Sequence, residues 1–571
     1  MKLNRVIYLH RRTVLIGYNK PMQNNRIVND TVYGHIPYSG IEEKFLQSKI
    51  VNRLLFVSQN ALAYFAFPSI TTKRYIHSLG TMHVVSHMFK NSLINASSKS
   101  RSKFLKQARK SIKKIIKKEH LELDLDSLVI KDKMLLGFSV AFSEKENLTY
   151  LLLLQALRLV GLLHDVGHLP FSHQTEYALK RLYLSVSKVK KPNIEQKKFL
   201  KFYNTITNYG EMVLHESIGY EYLDMLFNHE VLEQSNSTKE LITLYYLLVK
   251  NIFDDVITEE FSYVTLHQYI SSTVDADRID YINRDLLASG YISTSSDFLR
   301  VTKEAILIEE NKQFELSFLS SSLYDIEHLL ESRFNLYKKV FFTHHISRLD
   351  TLLERVITFL AKKYLSVSPK DKKVYETIAM MWKFTAETSP EKQLDTISQL
   401  DENWLISLFK KEYFKIKYQL SLTYQEKYYL SAFEDILFGK HFFKANWKNL
   451  SEFYNVLELS TEERFIFREK FGFISIEKRH KLEQSLEKLI EKYAKENEFY
   501  TYSIVSMSIG IDTNFRLYDG EKTLLIDEVS TLRKRLKTSM SNSVPFFIFS
   551  NQTSLNKGII KGLRKILFEV F

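Results

Sequence analysis

The sequence predicts a mainly α-helical protein with a smaller mixed α/β lobe toward its C-terminal end. Its 571 residues include only 16 glycines and 8 prolines, which is typical of a chain with long helices and few tight turns. Apolar residues recur at helical spacing from residue 73 to about residue 345. Strand-like segments are concentrated near the end of the chain, at residues 516–518, 523–526 and 544–549.

These patterns divide the chain into three predicted regions. Residues 1–68 form an N-terminal segment that we expect to make regulatory or oligomer contacts, residues 69–345 a helical core, and residues 346–571 a C-terminal helical and α/β lobe. Outside the core, the N-terminal segment is predicted to contain a strand-and-turn stretch at residues 31–40 and a helix at residues 41–61. The C-terminal lobe is predicted to contain helices at residues 424–438 and 476–498.

Two segments interrupt the helical core and look like insertions. The first covers about residues 95–141 and is strongly basic; the second covers about residues 185–201, is lysine-rich and carries Pro192. The basic residues of the first are Lys99, Arg101, Lys103, Lys106, Arg109, Lys110, Lys113, Lys114, Lys117 and Lys118. Apolar residues recur among them at helical spacing, at Phe104, Ala108, Ile112 and Ile115. The first insertion is therefore predicted to contain a basic amphipathic helix.

Charge and cysteine content narrow the classes of function. The formal net charge of +14 favours polyanionic partners such as nucleotides, nucleic acid or a membrane surface. The absence of cysteine excludes disulfides, thiolate zinc sites and cysteine nucleophiles. The charged N-terminal sequence has no long apolar stretch, and Gln155 and Arg158 interrupt the longest apolar run of the chain. We therefore expect a soluble cytoplasmic protein without a membrane span.

Residues 161–173, Gly-Leu-Leu-His-Asp-Val-Gly-His-Leu-Pro-Phe-Ser-His, carry the strongest chemical signal. An apolar run ends in the adjacent pair His164-Asp165, and His168 and His173 follow closely. An imidazole beside a carboxylate is a natural ligand pair for a divalent cation, which can activate water or polarise a phosphoryl oxygen. The alternative for the pair alone is a helix-end histidine that caps a turn.

Two other segments supply companions for this pair. Arg74 and His77 stand at i and i+3, so on a helix both can point into one cleft. Asp277, Tyr281 and Asp285 recur at i, i+4 and i+8, which lines one helical face with an acid, a phenol and an acid. Such a face is unusual for a core and is typical of the wall of a polar pocket.

In this order the three segments resemble the HD-domain superfamily, and most closely its deoxynucleoside triphosphate (dNTP) triphosphohydrolases, the group of dGTPase-like enzymes and the SAM-and-HD-domain dNTPase. The family motifs R-x-x-H-S-L-G, H-D-x-G-H-x-P-F-S-H and D-x-D-[KR]-x-D-Y-x-x-R-D match residues 74–80, 164–173 and 275–285. Weaker matches at residues 30–36 with 52–54, at 333–341 and at 528–532 extend the resemblance over most of the chain. The resemblance implies an HD-domain helical catalytic core at residues 69–345.

The resemblance implies a metal site and a reaction. The metal ligands would be His77, His164, Asp165 and Asp277, and two imidazoles with two carboxylates suit Mg²⁺, Mn²⁺, Fe or Co²⁺ better than a closed zinc site. The reaction would be attack of water on the α-phosphorus, which releases a deoxynucleoside and intact triphosphate.

The resemblance also implies roles for residues around the metal. His215 would donate a proton to the leaving 5′-oxygen, while His168 and His173 would assist at the α-phosphate. Glu176 stands where the family often has aspartate. The other implied substrate contacts are Arg74, Arg278 and Arg333 on the phosphates, Tyr281 against C2′ of the sugar, where it would exclude a 2′-hydroxyl, and Asp285 with Gln59 on the 3′-hydroxyl.

The chain departs from the family at an activator site. Some members bind a regulatory guanine nucleotide between subunits, but the aligned residues Gln47, Asn52 and Leu55 do not preserve that chemistry. A different regulatory nucleotide remains open. The basic insertion has two interpretations, a solvated amphipathic helix or a contact surface for nucleic acid or an acidic partner.

The expected function is that of a metal-dependent, homo-oligomeric dNTP triphosphohydrolase that lowers dNTP pools, for nucleotide balance or for defence against phage. Two alternatives are an HD-type phosphodiesterase or nucleotidase acting on another nucleotide, and a nucleotide-sensing or nucleic-acid-binding protein with a vestigial site. Retention of all four ligands argues against a vestigial site.

Overall fold

The computed structural model describes residues 15–16, 26–232, 238–291, 299–366, 376–384, 389–471, 476–505 and 507–570. Over these ranges the chain is mainly helical with a few small sheets, as the sequence predicts. The N-terminal elements are β1 (Leu15–Ile16), β2 (Ile27–Asp30), β3 (Gly34–Pro37), α1 (Gly40–Leu46) and α2 (Lys49–Arg53). The strand-and-turn prediction is thus confirmed as the β2–β3 hairpin, and the single predicted helix is two short ones.

The core region contains the helices that build the site. Its elements are α3 (Arg74–Asn95), α4 (Ser98–Lys118), β4 (Val129–Ile130), α5 (Lys133–Leu136), α6 (Glu144–Leu163), α7 (His173–Val186), α8 (Ile194–Thr207), α9 (Leu214–Met225), α10 (Lys239–Phe253), α11 (Val264–His267), α12 (Ala276–Ser289), α13 (Leu299–Lys303), β5 (Ala305–Glu310), β6 (Gln313–Leu319), α14 (Leu323–Leu336) and α15 (His344–Ser366). Helices α3 and α6 pack closely at Gly161, where an added Cβ would lie 3.0 Å from the Met82 Cα. This close approach brings the start of α3 beside the end of α6.

Helix α6 is buried over most of its length and carries a buried ion pair. By length and composition it is the one helix among the described residues that could cross a bilayer, and 83% of its apolar window is buried inside the protein. Its Arg158 donates to both carboxylate oxygens of Glu42, at 2.6 and 2.8 Å, and also to the Ser86 hydroxyl. Arg158 and Glu42 are both fully buried. A charged residue at the middle of α6 is therefore neutralised within the core.

Helix α4 confirms the basic amphipathic helix predicted for the first insertion. Phe104, Ala108 and Ile112 are buried, whereas Ile115 is only partly buried and the next residue, Ile116, completes the apolar face. Several of its basic side chains have acidic partners within the protein, including Lys103 with Glu309, Arg109 and Lys113 with Asp126, and Lys114 with Glu260. These ion pairs neutralise part of the basic face.

The core region also contains a β-hairpin that the helical spacing did not predict. Strands β5 and β6 pair antiparallel through a turn in which Asn311 and Lys312 both have positive φ, 51° and 68°. Two such residues in succession favour the tight turn of a two-residue hairpin. Strand β6 then pairs parallel with β9 of the C-terminal region, in the sheet order β10-β9-β6-β5. One sheet therefore joins the predicted core and the C-terminal lobe.

The C-terminal region is mixed α/β, as predicted. Its elements are α16 (Met380–Lys383), α17 (Pro390–Ser398), α18 (Glu402–Lys417), α19 (Tyr424–Phe438), β7 (Lys444–Ala445), α20 (Leu450–Val456), α21 (Thr461–Phe471), α22 (Ile476–Tyr493), β8 (Tyr500–Ile504), β9 (Arg516–Tyr518), β10 (Thr523–Leu525), α23 (Ile526–Val529), α24 (Leu532–Ser541), β11 (Phe546–Ser550) and α25 (Lys557–Val570). Three antiparallel strands form a second sheet in the order β7-β11-β8. The three predicted strands and the two predicted helices of this region are all present.

Candidate metal and phosphate site

Three of the predicted metal ligands, His77, His164 and Asp277, have donor atoms within 4.8 Å of one another where α3, the end of α6 and the start of α12 converge, and the fourth, Asp165, borders them. The His77 Nε2 atom lies 2.9 Å from Asp277 Oδ1 and 3.6 Å from Asp165 Oδ2. The His164 Nε2 atom lies 3.6 Å from Asp165 Oδ1 and 3.6 Å from Asp277 Oδ1. Both Nε2 atoms are buried and make no well-aligned hydrogen bond with the described residues. Two orphaned imidazole nitrogens facing two carboxylates are the donor set that a divalent cation needs.

Each imidazole is oriented by a bond at its other nitrogen. His77 Nδ1 donates to Asp280 Oδ2 at 2.7 Å, and His164 Nδ1 donates to the Gly161 carbonyl at 2.9 Å. These bonds leave Nε2 of each ring as the atom that faces the carboxylates. Partners of this kind fix the ring orientation of metal-binding histidines and raise their basicity.

Acidic surroundings control the charge of the site. Burial opposes the charged form of His77, but hydrogen bonds and charges of Asp277 and Asp280 outweigh it and raise its pKa to about 10. Burial likewise opposes the charge of Asp277, but His164 and His77 hold the pKa of this carboxyl below its ordinary value. Surroundings that bind a proton this firmly also favour a bound cation in its place.

Asp165 contacts both the metal-ligand histidines and Arg74, a residue predicted to bind phosphate. Arg74 donates from Nη1 to Asp165 Oδ2 at 2.5 Å and from Nε to the Ser172 hydroxyl at 2.7 Å. Burial disfavours the charge of Asp165, but Arg74, His164 and His168 hold its pKa well below the ordinary value. In the ligand-free protein, Arg74 therefore positions Asp165 while it also lines the cavity.

A second polar cluster joins α7 and α9 beside the first. Glu176 lies 3.2 Å from His168 Nδ1, 3.6 Å from His173 Nδ1 and 2.9 Å from His215 Nδ1. The rings of His168 and His215 stack, with centroids 4.0 Å apart. Burial opposes the charge of Glu176, but hydrogen bonds with the three histidines hold its pKa well below its usual range. Burial, with Arg74 and His215, lowers the pKa of His168 to about 3.

Both clusters open onto a cavity of about 540 Å³, a volume typical of small-molecule sites. Nearly all of the predicted site residues line it: Gln59, Arg74, His164, Asp165, His168, His173, His215, Asp277, Arg278, Tyr281, Asp285 and Arg333. His77 lies behind the wall and reaches the site through its Nε2 atom, as the distances above show.

The wall away from the metal ligands carries the predicted phosphate and sugar contacts. Arg333 donates from Nε to the Tyr281 hydroxyl at 2.9 Å, its guanidinium lies 4.7 Å from the Tyr337 ring centroid, and its buried Nη1 has no partner among the described residues. Burial raises the pKa of Asp285 to about 6, and neither of its oxygens accepts a well-aligned hydrogen bond, although Asn60 lies beside it. The Arg333 guanidinium and the Asp285 carboxyl group therefore both line the cavity where a ligand could contact them.

The three residues aligned with the activator site lie outside this cavity's lining. Gln47 and Leu55 are exposed, and the Asn52 amide donates to the carbonyls of Leu46 and Ser48, where it fixes the local turn between α1 and α2. A role of this surface in nucleotide regulation stays a prediction.

Sequence reasoning missed several residues that complete the site. Asp280 orients His77 and is itself held by Arg284, whose Nη2 donates to Asp280 Oδ1 at 2.9 Å and whose Nη1 donates to Asp30 Oδ2 at 2.7 Å. Asp30, Asp280 and Arg284 all stand inside quoted motifs, so a signal was present, but their roles depend on contacts between distant segments. Tyr337 and Asp350 also line the cavity, and no motif position had pointed to Asp350.

Comparisons with known proteins agree with this geometry. No protein-family model matches the chain. A deoxynucleoside triphosphate triphosphohydrolase SAMHD1 homolog of Dictyostelium discoideum is 23% identical over 405 residues, which are 68% of this chain and 62% of that protein. A putative HD domain-containing protein of Acanthamoeba polyphaga mimivirus is 20% identical over 346 residues, which are 60% of this chain and 59% of that protein. The chain thus spans about three fifths of the length of these curated relatives.

Among solved structures, a phosphohydrolase of Bacteroides thetaiotaomicron VPI-5482 superposes with a TM-score of 0.52 at 18% identity, and the match covers 92% of this chain and 99% of that one. At this identity the likeness shows the fold. Together, the converging motifs, the curated relatives and this shared fold relate the chain to the HD-domain superfamily.

Proposed function

We propose that this chain is a metal-dependent dNTP triphosphohydrolase, which cleaves a dNTP into a deoxynucleoside and intact triphosphate. The observation that carries the proposal is one cavity with two chemically different walls. One wall presents the orphaned Nε2 atoms of His77 and His164 beside two carboxylates, and the other carries the guanidinium groups of Arg278 and Arg333. His77, His164, Asp165 and Asp277 would hold the divalent cation, which supplies a Lewis acid and an activated water.

The arginines of the cavity explain why the substrate is a polyphosphate. A triphosphate carries about four negative charges, and guanidinium groups match phosphate oxygens in geometry as well as in charge. Arg333 lines the cavity, and Arg278 is fixed at Nη1 by two carbonyls with its Nε 3.5 Å from Asp275 Oδ2, so its Nη2 remains for the ligand. Burial of these cations beside an apolar wall strengthens their attraction for an anion.

The sugar contacts support deoxyribose over ribose. The Tyr281 hydroxyl is held by Arg333 at 2.9 Å, so its ring has a fixed place in the wall and leaves no room to adapt to an additional hydroxyl. The Asp285 oxygens lack well-aligned partners and can accept a hydrogen bond from the 3′-hydroxyl. A rigid aromatic ring and a buried acceptor together discriminate between sugars that differ by one hydroxyl.

The histidine cluster supplies the proton that the leaving 5′-oxygen needs. Glu176 accepts from His215 Nδ1 at 3.0 Å, so the His215 ring is oriented with Nε2 as its remaining nitrogen. The carboxylate fixes the ring in this orientation, which leaves Nε2 as the atom that would deliver a proton to the leaving group. His168 and His173, which share Glu176, would contact the α-phosphate.

In the cell this activity would lower dNTP pools, for nucleotide balance or for defence against phage. We further propose that the enzyme acts in the cytoplasm as a homo-oligomer and responds to a regulatory nucleotide. The exposed basic face of α4 remains the proposed contact for nucleic acid or an acidic partner, and this part of the proposal does not affect the chemistry of the cavity.

Product analysis tests the proposal. The purified chain is incubated with each dNTP, each NTP and a dNTP mixture, with Mg²⁺, Mn²⁺, Fe²⁺ or Co²⁺, and the products are separated by chromatography. Deoxynucleoside plus triphosphate is the expected result. Nucleoside monophosphates or diphosphates would instead support a phosphodiesterase or nucleotidase, and no turnover under any condition would overturn the proposal. His164→Ala and Asp277→Ala should each abolish turnover in a folded protein, whereas His120→Ala, at an exposed histidine after α4, should leave it unchanged.

A further inference from the structure

A loop of the C-terminal lobe packs against two of the three arginines that line the cavity. This Gly510 loop, residues 509–512, contacts Arg278 and Arg333. Arg278 donates from Nη1 to the Gly510 carbonyl at 2.8 Å. Gly510 has φ +69°, and a Cβ added there would lie 2.0 Å from Arg333 Nη1. The positive φ and the close approach both require glycine, so the backbone at this point is shaped to fit against the two guanidinium groups.

The Gly510 loop is itself fixed from two sides. On the core side, the Thr273 hydroxyl donates to Asp512 Oδ2 at 2.7 Å. On the C-terminal side, Arg533 of α24 donates to the carbonyls of Ile511 and Asp512, at 2.8 and 2.9 Å. The guanidinium of Arg533 is held in turn by both oxygens of Asp527, at 3.0 and 2.8 Å. Neither Arg533 nor Asp527 lines the cavity.

We propose that Arg533 is a positioning residue for triphosphate recognition. It fixes the Gly510 loop, and the loop holds Arg278 and borders Arg333, so the C-terminal lobe completes the phosphate-binding end of the cavity. The identity of the substrate rests on the proposed function. The positioning role does not, because it requires only that a residue outside the cavity controls the affinity of the cavity for a polyphosphate.

The physical reason is the flexibility of arginine side chains. An unrestrained arginine loses much rotamer freedom when it binds a phosphate, whereas an arginine already held by a carbonyl has lost it on folding. Without Arg533, the Ile511 carbonyl loses its side-chain donor and the Asp512 carbonyl keeps only the Phe515 N–H, so the contacts with Thr273 and Arg278 have to fix the loop from the core side. We expect the affinity for a polyphosphate to fall about tenfold, since a mobile loop no longer restrains Arg278 at the Gly510 carbonyl or supports Arg333 from behind, and the ligand then has to order part of each side chain.

The same helix offers a matched control. Arg535 of α24 makes ion pairs with Glu327 and Glu331 of α14, at 3.5 and 2.5 Å, and among the described residues no hydrogen bond or ion pair joins it to the Gly510 loop. Arg535→Ala therefore removes a lobe-docking arginine from α24 and leaves the loop contacts in place. Any effect that arises only from weaker docking of the lobe should appear in both Arg533→Ala and Arg535→Ala.

Binding of two probes tests the inference in the full-length chain. Inorganic tripolyphosphate and a deoxynucleoside are titrated calorimetrically into each variant, in a buffer with chelator so that no metal–phosphate complex forms. Arg533→Ala should weaken tripolyphosphate binding about tenfold and leave deoxynucleoside binding unchanged, and Arg535→Ala should change neither. Gly510→Ala, which displaces Arg333, should reproduce the selective loss. In turnover assays Arg533→Ala should raise KM more than it lowers kcat.

Three results would overturn the inference: equal effects of Arg533→Ala and Arg535→Ala, equal weakening of both probes, or a wild-type chain that binds no tripolyphosphate. If the selective loss is found but no dNTP is hydrolysed, the positioning role stands and the proposed function alone fails.

Discussion

Asp280→Asn tests the idea that a buried carboxylate behind His77 controls the metal site. Asp280 is fully buried and accepts from His77 Nδ1 at 2.7 Å and from Arg284 Nε and Nη2 at 3.1 and 2.9 Å. Asparagine has the same shape but carries no charge. The substitution therefore keeps the packing and removes the electrostatic support for both His77 and Arg284.

Two separate magnitudes follow from these contacts. Loss of a partner that orients a metal-binding histidine costs about 10- to 100-fold in metal affinity, or about 1.4–2.7 kcal/mol. Removal of one partner from a buried ion pair costs about 3–5 kcal/mol, and we expect the lower end because Arg284 keeps Asp30, 2.7 Å away. The variant should thus be less stable and also bind metal more weakly.

Metal affinity is measured by competition with a chelator of known affinity, and stability by urea unfolding of the metal-free protein. Asp30→Asn is the matched control, because it removes a charge from the same Arg284 guanidinium without contact with His77. It should lower stability while changing metal affinity less than about threefold. If Asp280→Asn binds metal as tightly as the wild type, or if the two variants lose affinity equally, the reasoning is refuted.

Three further predictions concern other parts of the molecule. Glu176→Gln should lower kcat about a hundredfold with little change in KM, because it removes the carboxylate that orients His215; a change confined to KM would contradict this. Gly167→Ala should destabilise the fold by about 1–3 kcal/mol, since the added Cβ would lie 2.0 Å from the His215 carbonyl oxygen. Gly219→Ala is the control and should melt close to the wild type, because its added Cβ would have no neighbour nearer than 3.8 Å. Burial, with a smaller effect of Glu354, raises the pKa of Asp350 to about 8 from its ordinary 3.8, so the folded state retains a proton and loses stability as the pH rises through this window. Asp350→Asn should therefore melt above the wild type at pH 8, with a difference that shrinks toward pH 5; a difference independent of pH would exclude this explanation.

The sequence predicts the site where its chemistry is concentrated in short segments. His164 and Asp165 are adjacent, Arg74 and His77 share one helix, and Asp277 opens another, so spacing and a family resemblance together pointed to the ligands. The helices at 424–438 and 476–498 were predictable for a related reason, because the spacing of apolar residues is a local property.

Contacts that depend on distant segments could not be read in the same way. Asp30, Asp280 and Arg284 meet only after the N-terminal hairpin packs against α12, and the Gly510 loop contacts Arg278 across more than 200 residues. The β5–β6 hairpin was missed because its turn, Asn311-Lys312, lacks glycine, the usual signal for positive φ. Pairing of β6 with β9 likewise follows from tertiary packing.

The position of Arg158 within α6 has a consequence for synthesis of the chain. Among the described residues, the acceptors of its side-chain hydrogen bonds all precede it in sequence: the Pro37 carbonyl, Glu42 and Ser86. Because a nascent chain leaves the ribosome from its N-terminal end, these acceptors are already outside when the guanidinium emerges. The carboxylate of Glu42 is therefore available to pair with Arg158 as soon as α6 emerges. This pairing favours packing of the apolar helix onto the preceding segments over its insertion into a bilayer.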